Sequence, residues 1–195
     1  KLTGADVKEW LEMSAGQFNT IVPGSSGSEL INASFPSYNF DVIDGITYEI
    51  DVSQEARYDV SGNLIDAAHN RIKNVRYNNA AIVDADEFLV VTNNYRAGGG
   101  GHFPGVSSDK IVIDAPNENR QTVADYLIAM TEQNPVTGFD PSADNNWSFT
   151  SLSNTSVVFR SSAKDSAKAF AAGNAAVTYN STDADGFGVY SINLQ

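Results

Sequence analysis

Four consecutive glycines, Gly98 to Gly101, directly follow the segment Asn93-Asn94-Tyr95-Arg96-Ala97. Backbone without Cβ atoms can approach a ligand closely and adopt positive φ. The run is no phosphate-cradling loop, because no Gly-Lys-Ser/Thr follows it. Nor is it a dinucleotide fingerprint, since the required glycine spacing fails at Phe103 and no helical pattern opens there. On their own the glycines read as a flexible loop. Tyr95 stands just ahead of them, where an aromatic ring can stack on a planar ligand or serve as a core or rim residue.

Other chemistry is incomplete. Asp183-Ala184-Asp185-Gly186 hints at a calcium loop, but such a loop would need a glutamate where Ile192 stands. Asp140 to Asp144 lacks alternating ligands, so both stretches read as turns. His69 and His102 are the only histidines and show no metal-ligand spacing; both read as loop residues, with His102 bordering the glycines. Gly24 to Ser28 does not satisfy Gly-x-Ser-x-Gly, and the absence of cysteine removes thiolate ligands, thiol nucleophiles and disulfides. No catalytic constellation is complete, and no cofactor is expected in this chain. Two formal glycosylation sequons, at Asn32 and Asn180, carry little weight.

The chain has 195 residues, 12 Lys and Arg against 24 Asp and Glu, and a formal net charge of -12. That balance disfavours nucleic acid polymers and anionic membrane surfaces, both of which need clustered basic residues. No apolar run approaches the roughly 20 residues of a membrane helix.

The elements that must position Tyr95 follow from periodicity. Thr3 and Asp6 form a capping-box pattern before Val7, Trp10, Leu11 and Ser14, which share one helical face; Gly16 ends that helix. Residues 22–45 read as a loop with short extended pieces. After the Asp44-Gly45 turn, Tyr48, Ile50 and Val52 alternate with polar residues, as in a sheet with one wet face. Arg71 to Tyr77 suits the partner strand beyond a turn at Asp59 to Asn63, and Phe88 to Thr92 suits a buried strand. A second helix is expected over Gln121 to Glu132, with Val123, Tyr126, Leu127 and Met130 on one face, then a polar loop over 134–148. Val157 to Phe159 reads as a strand core. Ser162 and Asp165 suggest a second capping box before a helix ending at Gly173, and Phe187 to Ile192 closes the chain as a strand. The result is one α+β domain of mixed sheet and hairpins with about three helices.

Several segments resemble one family. They are Val7 to Phe18, Tyr38 to Gly45, Arg71-Ile72, Thr92 to Ala97 with its glycines, Ala143 to Trp147, and Asp185 to Tyr190. Together they resemble the C-terminal domain of the bifunctional 2',3'-cyclic-nucleotide 2'-phosphodiesterases/3'-nucleotidases, within the 5'-nucleotidase superfamily. The resemblance implies a two-domain, periplasmic or secreted bacterial hydrolase. Its N-terminal metallophosphoesterase domain would hold two divalent metal ions, and its C-terminal domain would clasp the nucleobase between two aromatic rings. Tyr95 falls on the second ring; Asn94, Gly99, Gly100 and Gly101 complete the expected substrate-binding set. The first ring would precede Lys1, so the chain is expected to be cut within its own domain, with Lys1-Leu2 the tail of a strand. Nucleotidase relatives place a ribose-holding aspartate in a Gly-Gly-Asp-Gly loop. The all-glycine run here instead points to cyclic or 3'-phosphates. A 5'-nucleotidase or nucleotide-sugar hydrolase and a stand-alone binding module are the alternatives, and the fragment alone is expected to be inactive.

Overall fold

A computed structural model describes residues 1–195. The first elements are a two-residue strand, β1 (Leu2–Thr3), and helix α1 (Gly4–Ser14). Thr3 Oγ1 accepts from the Asp6 amide while Asp6 Oδ2 accepts from the Thr3 amide, so the expected capping box is present. Val7, Trp10, Leu11 and Ser14 are all buried, as their spacing predicts. A 3-10 turn, Ala15–Gln17, ends the helix, and Gly16 leaves room there for the Phe35 ring.

Two four-stranded sheets follow. One contains β3 (Ile46–Ile50), β4 (Ile72–Tyr77), β5 (Ala80–Ala81) and β7 (Trp147–Phe149), in the order β5-β4-β3-β7. The β3–β4 and β4–β5 pairs are antiparallel, and β3–β7 is parallel. Ile46, Tyr48 and Ile50 point inward from β3, and Val52 continues the same face. The other sheet contains β2 (Ser26–Glu29), β8 (Ser156–Ser161), β9 (Val177–Thr182) and β10 (Gly188–Asn193), in the order β2-β8-β10-β9. In a third, two-stranded sheet β6 (Glu87–Phe88) pairs with β1.

The core joins α1 to the inner faces of both larger sheets, through Val7, Trp10 and Leu11 with Ile46, Tyr48, Ile50 and Val157. Phe18, Phe40, Trp147 and Phe149 add a cluster of edge-to-face rings. A polar brace ties α1 to β4. Glu12 is buried and accepts from the amides of Arg71 and Ile72 at 3.0 and 2.8 Å. Arg71, also buried, donates to the carbonyls of Ala15 and Phe18 at 2.8 and 2.7 Å, at the end of the same helix. The Ala15 carbonyl also accepts from the Phe18 amide at 3.2 Å, so Arg71 adds a charged donor where the last turn ends. Burial pushes the Glu12 carboxyl upward, against the two amide bonds that pull it down.

The α+β reading holds, with corrections. There are four α-helices rather than three: α1, the short α2 (Asn94–Ala97), α3 (Asn119–Gln133) and α4 (Asp165–Ala172). The apolar face expected for α3 is not covered: Tyr126 meets the Phe139 ring edge-on, but none of the helix residues is buried. The polar loop over 134–148 gives way to β7 at Trp147, because that ring joins the aromatic cluster. The second capping box is absent: α4 begins at Asp165, and Ser162 Oγ accepts from the Lys164 amide outside the helix. Gly173 does follow the last turn of α4. Phe88 to Thr92 is not a buried strand. Pairing stops at Phe88, the limit of β1, and beyond it Leu89 and Val91 face outward, Val91 being 93% exposed.

Candidate functional site: the aromatic–glycine loop

The strand β1–β6 pair and the extended residues after it deliver the chain to α2. Asn93 caps this single turn, its Oδ1 accepting from the Arg96 amide at 2.8 Å. Asn94 Oδ1 accepts from the Tyr95 amide at 3.0 Å. The turn then passes into the glycines without losing its bonds. The amides of Gly98, Gly99 and Gly100 reach the carbonyls of Asn94, Arg96 and Tyr95 at 2.9, 3.0 and 2.9 Å. Gly99 and Gly101 have φ of +91° and +83°, where a side chain would be strained. The five residues singled out in the sequence, Asn94, Tyr95, Gly99, Gly100 and Gly101, therefore lie on one continuous, hydrogen-bonded segment that runs from α2 into the glycines.

Tyr95 lies on this loop with its ring against Gly100. A Cβ placed on Gly100 would come within 2.5 to 2.6 Å of three ring carbons. The residue as a whole is 63% exposed. One part thus rests on bare backbone and the rest faces outward. His102, next after the glycines, is exposed, with a positive φ of 60°.

Beneath the loop sits a charged network that sequence reasoning missed. Arg96 is only 5% exposed. Its Nε and Nη2 grip both Asp41 carboxylate oxygens at 2.7 and 2.9 Å, a two-pronged pair of the strong kind. Its Nη1 donates to the Gly100 carbonyl at 2.6 Å. The guanidinium stacks on the buried Phe103 ring at 4.1 Å. Asp41 in turn accepts from the Trp10 indole at 2.8 Å, and its carbonyl accepts from Ser14. The glycine loop is thereby tied to α1. Gly101 is required here for space, since a Cβ would approach Arg96 Nη1 to 2.0 Å. The sequence carries no local signal for this network, because Arg96 on its own reads as an ordinary charged residue. Asp41 lies 55 residues away, beyond any local pattern.

A second tie runs from the segment after the loop. Lys110 Nζ meets Asp6 Oδ1 at 2.8 Å. Burial raises the Asp6 carboxyl, but its bonds to Lys110 and Thr3 outweigh that and hold it below the usual range. The other sequence candidates stay apart. Asp183 Oδ1 accepts from the amides of Asp185 and Phe187, and Asp140 Oδ1 from that of Ser142, so both stretches are turns. His69 lies in the loop before β4, with Nδ1 at 2.9 Å from the Ala56 carbonyl. No three His, Cys, Asp or Glu side chains gather in a group that could hold a metal ion. No helix is long and apolar enough to cross a membrane.

These features define an α+β domain that presents an aromatic ring on an ordered glycine loop. The chain belongs to the 5'-nucleotidase, C-terminal domain family, which matches residues 1–108, the stretch that includes α1, Asp41 and the whole loop. It is 51% identical over 194 residues to the trifunctional nucleotide phosphoesterase protein YfkN of Bacillus subtilis, covering 98% of this chain and 13% of that protein. It is 44% identical to the 2',3'-cyclic-nucleotide 2'-phosphodiesterase/3'-nucleotidase of Yersinia enterocolitica, covering 100% of this chain and 30% of the relative. The protein of the same name from Haemophilus influenzae is 41% identical, again with 30% of its length covered. The chain thus spans less than a third of each of these relatives. No solved structure shows significant similarity to it.

Proposed function

We propose that this chain is the nucleoside-recognition domain of a larger secreted or periplasmic hydrolase that opens 2',3'-cyclic nucleotides and dephosphorylates 3'-nucleotides. One observation carries the reading: the Tyr95 ring rests on the Gly100 backbone and presents most of its surface outward, in a family named for nucleotidases. A purine or pyrimidine would stack on that outward surface. Asn94 and the exposed groups of Gly99 to Gly101 would lie at the edge of the bound nucleoside. A second aromatic ring, contributed from outside residues 1–195, would close the other side of the base.

The charge fits this division of labour. A domain of net charge -12 repels phosphate and is suited to grip only the uncharged base. The phosphate would go to two divalent metal ions in a separate metallophosphoesterase domain of the same polypeptide. This chain gathers no donor set for such ions, so no step of the hydrolysis is assigned to its residues. Relatives named as cyclic-nucleotide phosphodiesterases favour the cyclic and 3'-phosphate substrates. So does the run Gly98 to Gly101, which has no aspartate to hold a ribose.

Stacking on an aromatic ring contributes about 1–3 kcal/mol per base. Tyr95→Ala in the full-length enzyme should therefore raise KM for 2',3'-cyclic AMP about 5- to 150-fold and leave kcat near its original value. An unchanged KM would remove Tyr95 from the site.

A further inference from the structure

We infer that Arg96 is a positioning residue for base recognition: it turns the Gly100 carbonyl inward and so lays the Gly100 backbone beneath the Tyr95 ring. The inference rests on the reading of Tyr95 as the base platform. Three observations carry it. Arg96 spans Asp41 and the Gly100 carbonyl at once, with Nε and Nη2 on the carboxylate and Nη1 on the loop. Gly100 is the residue whose missing Cβ the Tyr95 ring occupies. Gly101 lacks a Cβ where one would meet Arg96 Nη1 at 2.0 Å. Arginine, loop and ring therefore share one geometry, and a change in the first reaches the third.

The arrangement needs arginine rather than any cation. A planar fork places five N–H donors in fixed directions, so two can face a carboxylate while a third faces elsewhere. A lysine ammonium is one compact centre on a flexible stem. It can keep the charge near Asp41, but it cannot hold both Asp41 oxygens and the Gly100 carbonyl in these positions. Phe103 under the guanidinium, Asn39 Oδ1 accepting from Nη1 and Nη2 at 3.4 Å each, and the Trp10 indole on Asp41 also hold the fork in place. Arg96 itself is buried, and its role passes through the loop to the ring.

The test uses the full-length enzyme with 2',3'-cyclic AMP, in wild type, Tyr95→Ala, Arg96→Lys and Asp41→Asn, with a melting curve for each. Displacing a binding element by about 1 Å can cost up to about 100-fold. We expect Arg96→Lys and Asp41→Asn each to raise KM about tenfold, with kcat within about twofold of wild type. A purely structural role would instead lower the melting temperature and the active fraction, leaving the KM of the surviving enzyme unchanged. If Arg96→Lys melts below the assay temperature, Asp41→Asn is judged by the same criterion, because it keeps the arginine and loosens its anchor. Unchanged KM in the folded variant, with KM raised in Tyr95→Ala, overturns the role of Arg96 and leaves the platform standing. Unchanged KM in Tyr95→Ala overturns the platform and the inference together.

Discussion

Gly100→Ala separates the platform from the fold more cleanly than deleting the ring. Gly100 is not among the residues with positive φ, so alanine can adopt its backbone conformation. Its new Cβ would lie 2.5 to 2.6 Å from Cε1, Cδ1 and Cζ of Tyr95. Carbon atoms in contact sit at about 3.5–4.0 Å, so one partner must retreat by about 1 Å. The backbone is held on both sides, by the Gly100 amide to the Tyr95 carbonyl at 2.9 Å and by Arg96 to the Gly100 carbonyl at 2.6 Å. The ring, largely in solvent, is the part free to move. It would move outward into the space reserved for the base. Losing about half of a stacking contact worth about 1–3 kcal/mol raises KM about 2- to 12-fold, since 1.4 kcal/mol is one decade. Stability should hardly change, because the site is a surface loop and replacing glycine with alanine trims the entropy of the unfolded chain. The assay is steady-state kinetics of the full-length enzyme on 2',3'-cyclic AMP and 3'-AMP, with a melting curve beside it. Gly99→Ala is the reference for stability alone. Its Cβ would meet only the Val106 carbonyl at 3.5 Å, so its cost is conformational and falls on stability. A KM for Gly100→Ala within twofold of wild type refutes the reasoning, and so does a melting loss as large as that of Gly99→Ala.

Three further outcomes concern the frame around the site. Arg71→Met should cost about 3 kcal/mol, because the buried carbonyls of Ala15 and Phe18 lose a charged donor; thermal unfolding should shift down by about 6–12 °C, and a shift under about 2 °C counts against the brace. Burial pushes the Tyr48 phenol up to about 12, so its folded value exceeds its unfolded one. The associated stability is complete below about pH 10 and is lost as the pH rises through 12, and Tyr48→Phe should unfold less readily in alkali; equal alkaline midpoints would contradict this. The Asp6 carboxyl is held low by Lys110 and Thr3 against burial, so its contribution is present above about pH 4 and is lost as the pH falls through the folded value. Asp6→Asn should therefore be less stable than wild type at pH 7, with the gap closing towards pH 2 in chemical denaturation; a gap independent of pH would exclude the ionic contribution.

Much of the fold was legible because local and global preferences agree. Thr3 and Asp6 cap the helix whose apolar stripe is buried, and the alternation from Ile46 to Val52 becomes a strand with one wet face. The misreadings share a cause. Apolar residues in Phe88 to Thr92 and in α3 have strong patterns, but whether a pattern is buried depends on a surface to cover it. Within residues 1–195 Leu89, Val91 and Val123 have none. Conversely, Ser26–Glu29 has no strand signature and becomes β2 because β8 offers its edge in parallel. Its pairing is set by the partner rather than by its own side chains.

The site divides the same way. Tyr95 and the glycines announce themselves, because an aromatic beside four residues without Cβ is unusual at any position. What holds them is silent in the sequence, since Trp10, Asp41 and Arg96 are far apart along the chain and each has an ordinary structural reading. Bare backbone gains a ligand access at the cost of conformational freedom, and a run of four glycines should be mobile. Here each of the first three amides is bonded back to α2, and the third carbonyl is fastened to a buried arginine. The loop therefore combines close approach with a fixed shape. A flat ring can only be held flat if the surface beneath it does not move, and in this domain that surface is glycine backbone pinned from below by Arg96.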